Sequence, residues 1–173
     1  TTPAIDNASN TLFFGTGNPS PQMSGDSRPG DNLYTVSLVA LDANTGKFKW
    51  HYQQVPHDMW GYDVASPPLI FHTLHEDKVI PAVGQAGKTG WFYIHNRDTG
   101  ELLLKSEPFV PQKNMFVKAT EEGTIIYPGI LGGSNWSPVS MNVDLHLAYI
   151  SGIHAPIKYT LNEKIINNNT IQY

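Results

Sequence analysis

Two stretches of the chain carry the same local pattern. The first is Val39-Ala-Leu-Asp-Ala-Asn-Thr-Gly-Lys-Phe-Lys-Trp50, and the second is Phe92-Tyr-Ile-His-Asn-Arg-Asp-Thr-Gly-Glu-Leu-Leu103. Each reads as a strand, a turn rich in Asn and Asp that ends in Thr-Gly, and a second strand. The Thr-Gly pairs at 45–46 and 99–100 stand 54 residues apart, the difference between 99 and 45. Short strands repeating at about 50 residues are the mark of propeller blades. Gly46 and Gly100 supply the left-handed backbone that a tight hairpin turn requires.

The rest of the chain agrees with an all-β reading. Glycine (15) and proline (13) make up 28 of 173 residues, too many breakers for long helices. No helical periodicity persists beyond about ten residues. Further strands are expected at Thr11–Gly15, Thr35–Leu41, Phe48–Gln53, Ala65–Phe71, Lys78–Val83, Trp91–His95, Thr124–Tyr127, Pro138–Met141 and Ala148–Gly152. A long Gly-, Pro-, Ser- and Asp-rich loop runs from Gly15 to Asn32, the kind of loop that carries sites in β proteins. Residues 162–173, with Asn167-Asn-Asn169, read as a polar loop or tail. At four strands per blade these segments make about two and a half to three blades, whereas propellers close with about four to eight. The expectation is therefore a partial β-propeller, with residues 1–173 a fragment of one propeller domain.

Composition removes several function classes. Net charge is −4 with no basic stripe, so nucleic acid is not an expected partner. There is no cysteine, which excludes thiol catalysis and Cys-ligated metal within the chain. No run of roughly 18 apolar residues exists for a helical membrane span. The chain opens without an initiator Met or a secretory leader, as a mature or truncated product would. His72 and His75 have a ligand-like spacing but lack a HExxH context, and no GxSxG, GxGxxG or P-loop is present.

Five segments in order resemble the pyrroloquinoline quinone (PQQ)-dependent alcohol and sugar dehydrogenases, eight-bladed propellers of the periplasm. They are Gly15-Thr-Gly-Asn-Pro-Ser-Pro21 with Pro29-Gly-Asp-Asn32, Ala40 to Trp50, Pro56-His-Asp-Met-Trp60, Gly84-Gln-Ala-Gly-Lys88 with Asn96 to Glu101, and Gly132-Gly-Ser-Asn-Trp-Ser-Pro138. The resemblance implies oxidation of a small alcohol or sugar hydroxyl by hydride transfer to PQQ. It also implies a calcium or lanthanide ion, and an electron acceptor such as a cytochrome c or a membrane quinone. Asn18 matches an amide ligand to the metal, and such oxygens suit a hard cation. Its plainer reading is a turn cap before Pro19. Lys88 matches the cation beside the quinone carbonyl that receives hydride, and counts as catalytic and cofactor-binding; the plainer reading is a solvated lysine. Asn135 and Trp136 match positions facing the quinone, and Trp136 would serve equally as core.

One position departs from the family. An aspartate acting as general base usually follows the Trp of this His-Asp-x-Trp segment, and here that residue is Gly61. Asp63 stands two residues on and matches a metal-associated aspartate of lanthanide-using members. If the segment were a strand, Asp63 would face the same cavity as residue 61. Asp63 is therefore expected in a catalytic or metal-binding role, and Asp58 as the residue that holds the turn. The rival expectation is a non-catalytic propeller scaffold that shares the repeat seen at Ala40 to Trp50, which would explain Gly61 directly.

Overall fold

The computed structural model describes residues 2–166 and 169–172, and among them there is no helix. Strands β1 (Ala4–Asp6), β2 (Thr11–Gly15), β3 (Ser37–Asp42) and β4 (Phe48–Gln53) form one antiparallel sheet in sequence order. A second antiparallel sheet holds β5 (Leu69–His75), β6 (Lys78–Ala86), β7 (Phe92–Asn96) and β8 (Leu102–Lys105), also in sequence order. Two short pairs follow: β9 (Thr124–Ile126) with β12 (Ile157–Tyr159), and β10 (Ser140–Asn142) with β11 (Leu147–Tyr149). Where the sequence predicts a polar loop over 162–173, β13 (Glu163–Ile166) and β14 (Asn169–Gln172) pair as a hairpin, while 167, 168 and 173 lie outside the described residues. Two complete blades and the strands of further partial ones give the partial propeller that the repeat implies.

The repeat is real at the level of atoms. In the first blade Asp42 N donates to Lys47 O at 2.8 Å and Gly46 N to Asp42 O at 2.9 Å. The second has Asn96 N to Glu101 O at 2.8 Å and Gly100 N to Asn96 O at 2.9 Å. The Asp42 and Asn96 side chains each accept two backbone N–H groups of their own turn, which is why short polar residues stand there. Each β3–β4 or β7–β8 ladder shifts register at the matching place, Ala40/Leu41 and Ile94/His95, and both glycines have positive φ, 69° and 80°.

The blades stack face to face. Phe13, Leu38, Ala40 and Trp50 of the first blade enclose a core with Val83 of the second. The Trp50 ring lies flat on the second blade's turn: a Cβ added at Gly100 would sit 2.6 Å from the indole. Its Nε1–H donates to Arg97 O at 3.1 Å, so the buried polar tip is satisfied. Arg97 also pairs with Asp6 of β1 at 3.2 Å, a second tie between the blades. The 54-residue repeat puts Leu104 where Trp50 stands, and Leu104 is 52% exposed, without a docking partner among the described residues.

The sequence-predicted strand at Ala65–Phe71 begins instead at Leu69, because Pro67-Pro68 cannot join the ladder. β6 is longer than expected and runs to Ala86, which carries Lys88 out to the same end of the blades as the loop after β2.

His95 is buried between the blades, with its ring 4.5 Å from that of Tyr52 and Nε2 without a hydrogen-bond partner. Burial lowers its pKa from 6.5 to about 4. The folded state therefore holds fewer protons than the unfolded one between these values, and stability present above pH 6.5 is lost as pH falls towards 4. The full effect is about 3 kcal/mol. Thermal unfolding followed from pH 7 to pH 4 should show this fall, and His95→Gln should flatten it.

Candidate functional site

Three connections converge at one end of the two blades: the β2–β3 loop, the β4–β5 crossover and the β6–β7 turn. Gly15 pairs with Leu38 and Ala86 with Phe92, and Leu38 and Phe92 are themselves 54 residues apart. The residues just after Gly15 and Ala86 are thus equivalent in successive blades. Asn18 and Lys88 lie there.

Asp63 joins them. Its Oδ1 accepts the Asn18 backbone N–H at 2.9 Å, and its Oδ2 accepts from Lys88 Nζ at 3.0 Å. Lys88 Nζ also donates to Gly61 O at 3.0 Å. Lys88 is only 5% exposed, so it is not the solvated lysine of the plainer reading. A charge this buried needs a partner, and Asp63 supplies it. Asp63 stays more open, with 23% of its side chain exposed.

Local structure explains the convergence. Asp58 is fully buried, and its carboxylate accepts the N–H groups of Trp60, Gly61 and Tyr62, each at 3.1 Å. It holds the turn, as expected from its type. Burial pushes its carboxyl above the ordinary value, against these donors. The aromatic residues on and around this turn are clamped at their polar tips. Trp60 Nε1 donates to Val117 O at 2.9 Å, Tyr62 Oη to Pro128 O at 2.8 Å, and Tyr159 Oη to Trp60 O at 2.8 Å. Arg28 locks the β2–β3 loop to the same turn by donating to Pro21 O, Gln22 O and Asp58 O.

Asp63 is not placed by strand alternation with residue 61. Residues 61–65 form no strand, and Gly61 has a φ of +79°. Asp63 reaches Lys88 because the Asp58-capped turn delivers it, not because of two-residue alternation. Gly61 is also enclosed: a Cβ there would lie 2.1 Å from Gln22 Nε2 and 3.0 Å from Ile130 Cγ1.

The segment 129–135 backs Lys88. Gly133 N donates to Lys88 O at 2.7 Å, and a Cβ on Gly132 would fall 2.3 Å from Lys88 Cγ. Asn135 is buried, with Nδ2 donating to Leu131 O at 3.1 Å and Oδ1 left without a partner. Trp136 is 68% exposed, so it is neither core nor part of the Asp63–Lys88 cluster. The Asn18 side chain donates to Pro19 O at 3.1 Å, which keeps the turn-capping role alongside its backbone bond to Asp63.

Arg28 and Gln22 escape a reading of the sequence. An Arg between Asp26 and Asp31 signals a loop organiser only weakly, and nothing at position 22 points to residue 61. Among the described residues no group of three or more His, Cys, Asp or Glu could hold a metal, so His72 and His75 form no such centre. The donors at Asp63 and Asn18 suit a hard cation in kind, being one carboxylate and one amide oxygen, but they fall short of the roughly six to eight ligands that calcium takes. Lys88 and the orphan Asn135 Oδ1 suit a polar, anionic cofactor that would bring its own donors and acceptors.

Residues 1–115 match the family model for the glucose/ethanol/alcohol dehydrogenase PQQ β-propeller domain. A quinoprotein alcohol dehydrogenase, PedH, of Pseudomonas putida is 33% identical over 84% of this chain and 28% of its own length. The quinohemoprotein alcohol dehydrogenase of Comamonas testosteroni is 34% identical over 90% of this chain and 24% of its own. The solved structure of the quinohemoprotein alcohol dehydrogenase ADHIIG from Pseudomonas putida superposes with a TM-score of 0.85 at 30% identity, covering 97% of this chain and 27% of that one. The chain thus spans about a quarter of the length of the relatives it matches.

Gly61→Ala should cost about 1–2 kcal/mol from the left-handed backbone alone, with a further steric share from Gln22. Urea unfolding of Gly61→Ala, Gln22→Ala and the double variant measures that share. The double variant should recover the steric part and retain the backbone part.

Proposed function

This chain belongs to the PQQ-dependent glucose/ethanol/alcohol dehydrogenase β-propeller family, and we propose from that premise that it supplies part of the active centre of an enzyme oxidising an alcohol or sugar hydroxyl. The observation that carries the reading is the Asp63 carboxylate held between the Lys88 ammonium and the Asn18 backbone. When bound, PQQ supplies the two-electron acceptor for the hydride of the substrate carbon, and a calcium or lanthanide ion supplies Lewis-acid polarisation.

The chain's own residues take defined roles in this proposal. Asp63 accepts the substrate hydroxyl proton. Asp58 is unsuited to that task, being fully buried with its oxygens occupied by three backbone N–H groups. Lys88 fixes Asp63 and presents a positive charge where oxygen charge grows during hydride arrival. Asn18 and Asp63 offer oxygens to the metal. Asn135 offers Oδ1, a buried acceptor without a protein partner, to the cofactor. Trp136, exposed on the adjoining segment, is proposed as an apolar cofactor contact. A periplasmic location, with a cytochrome c or membrane quinone as electron acceptor, goes with this assignment. Gly61 favours the second reading, a scaffold propeller without catalysis, because a carboxylate at that position has no room.

The test uses the full-length gene product loaded with PQQ and either calcium or lanthanum ions. Dye reduction is followed with a panel of alcohols and sugars. Asp63→Ala is expected to lose activity on the order of 10²–10⁴-fold. Retained activity would move the proton acceptor elsewhere, and an inactive parent that binds no PQQ would favour the scaffold.

A further inference from the structure

Gln22 is placed to do more than fill space. Its side-chain amide occupies the position that a side chain at residue 61 would enter, as the 2.1 Å approach of Nε2 to a Cβ built there states. Gly61 is also the residue whose carbonyl oxygen receives Lys88 Nζ, and Lys88 pairs with Asp63, so the amide packs against a residue that is bound directly to that pair. The backbone at Gln22 is fixed, because Arg28 Nη2 donates to Gln22 O at 3.2 Å while the same guanidinium holds Pro21 O and Asp58 O. The side chain is half-buried and has no hydrogen-bond partner among the described residues. An amide that is positioned, partly exposed and unpaired offers two N–H donors and one acceptor to a molecule that approaches Gly61.

We infer that Gln22 is a substrate-orienting residue, which donates an amide N–H to the hydroxyl oxygen of the alcohol or sugar while Asp63 takes the hydroxyl proton. This rests on the dehydrogenase reading above. An amide has no basicity at neutral pH, so Gln22 cannot replace the proton acceptor. It orients the hydroxyl from the side of residue 61, and Asp63 supplies the base from two residues on. Gly61 and Gln22 are then one device: the missing side chain at 61 makes room for the amide at 22.

The test compares the full-length gene product, loaded with PQQ and calcium or lanthanum ions, with Gln22→Met, which keeps the length and removes the polar group. The probe is 1-butanol, measured by steady-state kinetics and by saturation-transfer NMR binding. The expected result is a KM raised about fivefold to tenfold, the worth of one neutral hydrogen bond, with kcat within about twofold and the thermal midpoint unchanged. An active parent whose KM does not move in the variant would overturn the inference, because a space-filling role predicts that outcome. An inactive parent that binds 1-butanol only when Gln22 is present would sink the dehydrogenase reading and uphold the contact. An inactive parent that binds no alcohol would sink both.

Discussion

The Trp50 indole, seated on Gly100 with its N–H on the Arg97 carbonyl, sets the distance and angle between the two blades. The site inherits its geometry from this contact. Asn18 belongs to a connection of the first blade, Lys88 to a turn of the second, and Asp63 to the crossover between them. A shift of the blades against each other would pull the Lys88 ammonium from the Asp63 carboxylate. The buried Asp6–Arg97 pair and the Phe13–Val83 core act in the same direction, at the face away from solvent.

Within that frame the polar groups divide the work. Asp58 spends its whole hydrogen-bonding capacity on the backbone of one turn, which leaves it buried and structural. Asp63 uses one oxygen on Asn18 and one on Lys88, yet keeps access to solvent. Two carboxylates five residues apart thus take different roles through burial and partners, not through their chemistry. Lys88 is the counterpart of this arrangement. Its stem packs against Gly132, and no larger residue would fit between that segment and the lysine.

Much of this was legible in the sequence. The Thr-Gly repeat gave the blade period and the turn chemistry, because both depend on residue types that few backbones require. Asn18, Asp63 and Lys88, each singled out in the sequence, are joined by hydrogen bonds, and Asp58 holds its turn. Other parts were not legible. The way Asp63 reaches Lys88 was not legible, because it depends on the Asp58-capped turn and the left-handed Gly61 and not on strand alternation. Trp136 is apolar and aromatic, which suggests core, yet it stands exposed because no described element covers it. Gln22 touches Gly61 across 39 residues of sequence, the difference between 61 and 22, and no local pattern announces such a contact.

The Asp63–Lys88 cluster is proposed to face a bound quinone. A titration of the full-length gene product with PQQ, followed by quenching of tryptophan fluorescence, tests it most directly when run beside Lys88→Met. The expected result is PQQ binding in the parent and a Kd at least about tenfold weaker in the variant, with both proteins equally folded by circular dichroism. An unchanged Kd in Lys88→Met would contradict it, and Lys88 would then be only the structural partner of Asp63.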